Sequence, residues 1–369
     1  MIQMNNKILK YISNVVQRII GLVAEARDLG DEKKAQSLID EVTGILDQFG
    51  LEMEVVIPKA VIENYFGGVD QATKLMSQAG LEVNQTLTLT KSGQVAKGFQ
   101  KKIHMEALEQ IADDTLLDFK AAIRTAKKSS KASITGALES VKRDLAEGYI
   151  AGNTRKVINK RVADSFAENG LTAFTTVDGR NLPLDFYAST VTKTKMKEAN
   201  VKGSTNRYTE SGVNLVQIST HYPTCHECAR YQGLVVSLTG EHDGFPSIVA
   251  DIALPPYHPN CSHGISPYVL EFKTEQEIGE AKSRWQNFKP EKDTRSATQK
   301  REYNKEQDAR RRANEEKKQY ARWQMVLGKG APATLGAFRR MKRQNTAKFQ
   351  ELQSEYRSIA QEVVRDRSQ

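Results

Sequence analysis

Three features of the sequence predict a mainly α-helical protein with long helical N- and C-terminal segments around one small α+β domain. Apolar residues recur three and four apart over most of the chain, the mark of helices with one buried side. Only residues 213–218 and 234–238 carry the branched, strand-forming composition of a sheet. Residues 221–267 hold all three cysteines and five of the six histidines, enough ligating side chains to clamp a sheet too short to hold itself. The chain divides accordingly into a helical N-terminal region (1–90), a helical middle region (91–200), the clamped α+β domain (201–272) and a basic helical tail (273–369).

Residues 5–29 line up Ile8, Ile12, Val15, Val16, Ile19 and Val23 on one side of a helix that Gly30 ends. Asp31 starts a second helix with Leu38, Val42, Ile45, Leu46 and Phe49 inward and Gly50 as its stop. Either helix alone is marginal, so this hairpin must bury its stripes internally or on a partner. Pro58 suits the first turn of a third helix, whose Val61, Ile62, Tyr65 and Phe66 precede a break or bend at Gly67 and Gly68, with helix resuming towards Met76. Residues 84–90 alternate but are short and bounded by turn formers, and read as an extended connector.

Helical patterning returns from 94 to about 167. Ile103, Leu108, Ile111, Leu116, Phe119 and Ile123 form one run, and Leu138, Val141, Leu145, Tyr149 and Ile150 another, with a polar break at 127–131 and punctuation at Gly148, Gly152 and Asn153. A turn at 177–180 leads into a helix over 184–199. The loop 239–259, with Pro246, Pro255, Pro256 and Pro259, is too long to hold itself and needs a metal to fix both ends. Residues 293–327 are so charged that their helix must be largely exposed, and 328–332 turn the chain. Phe349, Leu352, Tyr356, Ile359 and Val363 then form either a short heptad seam for a partner helix or a core stripe.

The chemistry concentrates at two close-spaced pairs, Cys225 with Cys228 and His258 with Cys261. A two-residue gap lets one tight turn aim both side chains at a single ion, and a Cys3His set suits zinc in a closed, structural tetrahedron. The competing readings are unrelated buried thiols, or a redox dithiol with an odd cysteine left over; the second pair weighs against both. His221 and His263 are alternative fourth ligands, whereas His226, between two cysteines on a short knuckle, should point away from the ion. His104-Met105-Glu106 has the shape of half a zinc-deaminase motif, but it lies over a hundred residues from the cysteines and is set aside. Gly328-Lys329-Gly330 lacks the spacing of a phosphate loop.

The net charge of +9 sits in the tail: residues 281–369 carry 23 Lys+Arg against 11 Asp+Glu, and the first 280 residues 31 against 34. Arg310, Arg311, Arg312, Arg339, Arg340, Lys342 and Arg343 are the candidates for contact with DNA or an acidic partner, the alternative being a solvated helical face. No stretch reads as a secretion signal or a membrane span, and three cysteines at metal spacing suit folding in a reducing compartment.

One ordered set of residues resembles the bacteriophage minor capsid protein 2 family. It runs from Asp178-Gly179-Arg180 and Tyr187-Ala188 through 215–219, His221, Cys225, Cys228 and Gln232-Gly233 to His258-Pro259, Cys261, Ser262-His263-Gly264 and Pro267, followed by the Arg/Lys/Gln-rich tail. Tyr231 and Ser262 stand where the family favours Trp and Arg. The resemblance implies a non-enzymatic head protein of a tailed phage, related in role to the Mu F-like head proteins. It would be made in the bacterial cytoplasm and placed in the virion near the portal vertex. The implied partners are the portal protein, the major capsid protein and, through the basic tail, packaged DNA, with roles in head assembly, DNA packaging or ejection. The rival reading is a zinc-containing nuclease or effector delivered with the genome, which would need an open metal position.

Overall fold

The computed structural model describes residues 2–26, 31–84, 87–146, 154–168, 172–175 and 181–365. The helices are α1 (Ile2–Glu25), α2 (Glu32–Gln78), α3 (Lys102–Ala146), α4 (Thr154–Glu168), α5 (Leu184–Glu210), the single-turn α6 (His226–Ala229), α7 (Glu275–Gln286), α8 (Ala297–Leu327), α9 (Leu335–Gln344) and α10 (Ala347–Arg365). Five short strands accompany them: β1 (Thr172–Thr175), β2 (Asn181–Pro183), β3 (Leu215–Ile218), β4 (Val235–Ser237) and β5 (Ile265–Pro267). The described chain is thus mainly helical with a small sheet, as its periodicity requires.

The expected stripes are buried except at Val16, which is half-buried. Ile8, Ile12, Val15, Ile19 and Val23 of α1 and Leu38, Val42, Ile45, Leu46 and Phe49 of α2 are all 8% exposed or less. The expected stops are not. α2 runs unbroken through Gly50, Pro58, Gly67 and Gly68. Pro58 removes one helical hydrogen bond, a cost of about 3 kcal/mol, but Ile57, Ala60, Val61, Tyr65 and Phe66 around it are all 1% exposed or less. Burying each large apolar side chain contributes about 2 kcal/mol, so tertiary packing outweighs the local breaker. α3 likewise crosses the polar stretch at 127–131 without interruption. Ser130 turns inward and its Oγ donates to the Ala126 carbonyl (2.7 Å), while Lys127 reaches the Asp47 carboxylate (2.7 Å). The terminations expected at Gly30, Gly148, Gly152 and Asn153 and the turn at 177–180 lie outside the described residues.

Two compact units divide the chain: Met1–Leu9, Met53–Asp118 and Thr190–Gln307 form one, and Lys10–Glu52, Phe119–Ser189 and Asp308–Gln369 the other. The first holds the three-stranded antiparallel sheet, with β3 central between β4 and β5. Alternation splits its side chains. Val216, Ile218, Val236 and Ile265 pack with Ala72 and Met76 of α2 and Val201 and Tyr208 of α5. Leu215 and Val235 face Phe245 and Tyr268, next to Ile278 and Ala281 of α7. In this unit α2 and α5 also touch backbone to backbone. A Cβ on Gly68 would lie 1.9 Å from the Asn200 carbonyl oxygen, and one on Gly203 would lie 2.0 Å from that of Tyr65.

The sequence patterning does not anticipate β1 and β2, which pair antiparallel as a second, two-stranded sheet, nor β5, because Ile-Ser-Pro has neither the length nor the composition of a strand; the helix expected over 184–199 runs on to Glu210. Residues 85 and 86 of the expected connector lie outside the described residues; over 87–90 no strand forms, and a single bridge pairs Leu89 with Val95 around a tight turn, with the Thr90 amide donating to the Gln94 carbonyl and the Ala96 amide to that of Thr88. The loop over 239–259 is better held than expected. Ser237 bonds both Pro246 and Ile248 through its backbone, the Asp251 carboxylate caps the Ser247 amide (2.8 Å), and Phe245 and Ile252 are buried.

In the second unit, Trp323 stacks on Phe349 and meets Phe338 edge-on, both at 5.2 Å, within a cluster completed by Tyr320 and Leu352. The first half of the α10 stripe therefore packs internally, and the side chains of Ile359 and Val363 lie outside the described residues. Most of α8 is exposed, and a 3-10 turn at Gly328–Gly330 ends it.

Candidate metal centre

β3 and β5 are antiparallel neighbours, so the end of one and the start of the other meet at the same edge of the sheet. Ser219 and Gly264 continue the ladder there: the Ser219 amide donates to the Gly264 carbonyl, and the Gly264 amide donates to Ser219 Oγ (both 2.9 Å). The two pairs of candidate ligands hang from this edge. Cys225 caps α6, its Sγ accepting from the Cys228 amide (3.3 Å), which sets both sulfurs on one side of a single turn. On the other arm the Cys261 amide closes a turn onto the His258 carbonyl (3.0 Å), with Asn260 in the left-handed region at φ 66°, a conformation asparagine tolerates.

The turns bring the candidates into two groups that share Cys228: Cys225, Cys228 and His258 form one, and Cys228, Cys261 and His263 the other. His258 Nε2 lies 3.1 Å from Cys225 Sγ and 3.0 Å from Cys228 Sγ, and Cys228 Sγ lies 3.7 Å from Cys261 Sγ. A zinc tetrahedron with Zn–S near 2.3 Å has S···S edges of about 3.8 Å and S···N edges of about 3.5 Å. The sulfur pair already matches, and the imidazole needs to back off by about half an ångström. His258 Nδ1–H donates to the Pro259 carbonyl (2.7 Å), which fixes the tautomer that turns the Nε2 lone pair inward. All three sulfurs are buried and form no disulfide.

The electrostatics suit a cation. The Cys228 hydrogen bond holds the Cys225 thiol down to about 4 and the Cys261 thiol down to about 3, while the same contacts push Cys228 up. The Cys225 contact raises His258 to about 9. Two thiols held low beside a raised imidazole form a donor set from which a dication would displace the protons.

His263 is a fifth donor. It is 2% exposed, its Nδ1 is 3.6 Å from Cys261 Sγ, and Cys228, Cys261 and His263 form a second possible ligand group beside Cys225, Cys228 and His258. Its Nε2 is buried without a hydrogen-bond partner. His221 belongs to neither group: its ring lies edge-on to His263 at 4.7 Å, and its Nε2 bonds the Ser262 carbonyl (3.1 Å). His226 is exposed on the outer side of its turn.

Several neighbours were not visible in the sequence. Tyr257 and Tyr303 pack against the cluster of the three cysteines, and Tyr231 stacks on Tyr257 at 4.1 Å, so an aromatic at 231 serves the site whether Trp or Tyr. Half-buried Lys197 of α5 approaches Gly264; burial pushes its ammonium down, and the Cys261 sulfur partly offsets this.

His104 has a different role. It is fully buried, with Nδ1 2.8 Å from Tyr65 Oη and Nε2 3.0 Å from the Glu210 carboxylate, and Asn206 donates to Tyr65 Oη (2.6 Å). This polar pin joins α2, α3 and α5. Its neighbour Ile103, expected inward, is 38% exposed in its place.

The basic candidates separate by geometry. Arg339 bonds Glu316 (2.9 Å) and the Ala313 carbonyl (3.3 Å), and Lys342 bonds Gln319 (2.8 Å), so both hold α9 against α8. Arg311 pairs with Asp308 one turn away. Arg310, Arg311, Arg312, Arg340 and Arg343 are exposed. Among the described residues no helix is long and apolar enough to cross a membrane.

Neither a curated protein nor a solved structure matches the chain. A family model does: phage minor capsid protein 2 matches residues 62–347, which include every candidate metal ligand. Since that match covers well over half of the sequence, the chain belongs to the phage minor capsid protein 2 family.

Proposed function

We propose that this chain is a non-enzymatic structural protein of the head of a tailed phage, sited near the portal vertex and stabilised by one structural zinc ion. The observation that carries this reading is the family match over residues 62–347, spanning the sheet, the cysteine–histidine cluster and the basic helix α8. Cys225, Cys228, Cys261 and His258 would hold the ion, with His263 as the substitute fourth ligand. Four protein ligands close a zinc tetrahedron, so its chemistry there is to fold the knuckle rather than to activate water. The N-terminal region, residues 1–90, serves contact with portal or coat protein. The middle region, 91–200, connects it to the zinc domain, 201–272, and the tail from 273 presents Arg310, Arg311, Arg312, Arg340 and Arg343 to packaged DNA or an acidic protein surface.

Deletion of the gene tests this reading. Coat assembly should continue while particles lacking the protein fail to package or deliver DNA. Normal infectivity without the protein contradicts it. So does hydrolysis of nucleic acid by the pure protein that is abolished by a single substitution at His221 or His263 with the fold intact, which would favour a delivered nuclease.

A further inference from the structure

We infer that the metal knuckle is also the anchor of the basic tail: residues 290–303, which lead into α8, are latched onto the cysteine cluster, so metal occupancy and the seating of this segment are coupled. The inference rests on the zinc reading above.

Arg295 is the centre of the latch. Its Nη1 donates to the Thr224 carbonyl (3.2 Å), the backbone group immediately before Cys225. Its Nε and Nη2 grip both oxygens of Asp293 (2.9 and 3.0 Å), and Lys300 joins the same carboxylate at 3.2 Å. These contacts hold Asp293 well below the usual carboxylate range. A fork fixed on one side by a carboxylate is preorganised for the carbonyl on the other. The guanidinium also lies 5.4 Å over the ring of Tyr303, and Tyr303 packs against the cysteine cluster. A second strap crosses nearby: Arg230, just after α6, donates to the Pro290 carbonyl and lies 5.1 Å over Tyr231. The start of α8 is fixed in turn by a reciprocal cap between Ser296 and Gln299.

The position of the Thr224 carbonyl follows that of Cys225, and the Cys225 turn is ordered by its ion, because in small metal sites binding free energy is folding free energy. Losing the ion therefore loosens both the acceptor for Arg295 and the cysteine cluster against which Tyr303 packs. The coupling is reciprocal: whatever the ion contributes to seating the segment, the seated segment contributes to holding the ion. The tail is thereby sensitive to chelation and to oxidation of the sulfurs.

The test uses the purified full chain. Its zinc content is measured, trypsin cleavage at Lys300 and Arg301 is followed with and without a chelator, and zinc release to a chromogenic chelator is timed for the wild type, Arg295→Ala and Tyr303→Ala. Arg124 and Lys128 in α3 serve as control cleavage sites. Chelation should speed cleavage at 300 and 301 about tenfold more than at the controls. Both variants should bind one equivalent of zinc yet release it about tenfold faster, the worth of one charged hydrogen bond or ring contact. Zinc that is present and removable with no selective change at 300 and 301, or variants that release it at the wild-type rate, overturn the latch and leave the zinc reading standing. A protein purified without zinc, indifferent to the chelator, overturns both.

Discussion

The crossing of α2 and α5 makes a strong prediction about a residue type usually improved by substitution. An exposed helical glycine replaced by alanine gains about 1 kcal/mol, because alanine loses less backbone entropy on folding. Gly136 in α3 is such a site: it is exposed and nothing lies within 4 Å of a Cβ built there. Gly136→Ala should therefore stabilise by roughly 0.5–1 kcal/mol. Gly203→Ala has the same intrinsic gain and the opposite outcome. Its Cβ would lie 2.0 Å from the Tyr65 carbonyl oxygen and 2.9 Å from the carbonyl carbon. The obstacle is backbone inside a helix, which cannot rotate away as a side chain could, so the helices must separate by more than an ångström. Overpacking of this kind costs about 3 kcal/mol or more, leaving a net loss of at least about 2 kcal/mol after the propensity gain. Gly68→Ala, 1.9 Å from the Asn200 carbonyl oxygen, should behave alike. Urea unfolding followed by circular dichroism gives the overall change, and hydrogen exchange over 60–76 and 196–210 localises it. A Gly203→Ala protein as stable as Gly136→Ala would refute the close crossing.

Three further predictions concern the sites. Purified protein should carry one equivalent of zinc, and Cys228→Ser, which removes the sulfur shared by both candidate ligand groups, should abolish metal binding and hydrogen-exchange protection across 213–267; unchanged protection would contradict a structural metal. Acid should weaken the first unit through His104. Burial holds its imidazole below the ordinary value of 6.5 despite Glu210, so the unfolded chain binds the proton first and stability falls as pH drops below 6.5. In the neutral form Tyr65 Oη donates to Nδ1 and accepts from Asn206, whereas a protonated ring leaves the phenol proton without an acceptor. Burial pushes Glu210 up, but Lys101 and His104 hold it down overall, so it adds to the same acid sensitivity at lower pH. His104→Gln should flatten the dependence of stability on pH just below 6.5, and an unchanged slope would exclude the pin. Reversing Arg310, Arg311 and Arg312 to Glu should lower DNA affinity and make the salt dependence shallower by about one unit for each phosphate that is no longer neutralised; equal binding at all salt concentrations would leave α8 a solvated surface.

What the sequence made legible was mostly what depends on period. The α1 and α2 stripes, the two β-branched strands and the paired Cys/His spacing each encode geometry within a few residues. What it hid depends on tertiary context. Gly67 and Gly68 read as a break, yet Gly68 is where another backbone approaches; Pro58 reads as a helix start, yet the apolar residues around it carry the helix through. The Lys127–Ser130 stretch looks like a polar linker because sequence does not reveal that Ser130 bonds its own helix and Lys127 an aspartate 80 residues away. β5 exists because β3 offers it an edge. At the metal centre the donors were legible and their surroundings were not: Tyr257, Tyr303, Arg295 and Lys197 are 32, 78, 70 and 28 residues from Cys225 in sequence. Distances divide the two histidines rather than ranking them: His258 groups with Cys225 and Cys228, and His263 with Cys228 and Cys261, a split that spacing alone does not encode.

Whether this chain is a built-in part of the particle is tested most directly by quantitative mass spectrometry of density-purified virions. A built-in component should be present at a fixed ratio to the portal protein, far below that of the major capsid protein, and should be retained through high-salt washing. Its absence from infectious particles, with the chain found only in the lysate of the infected cell, would contradict that role.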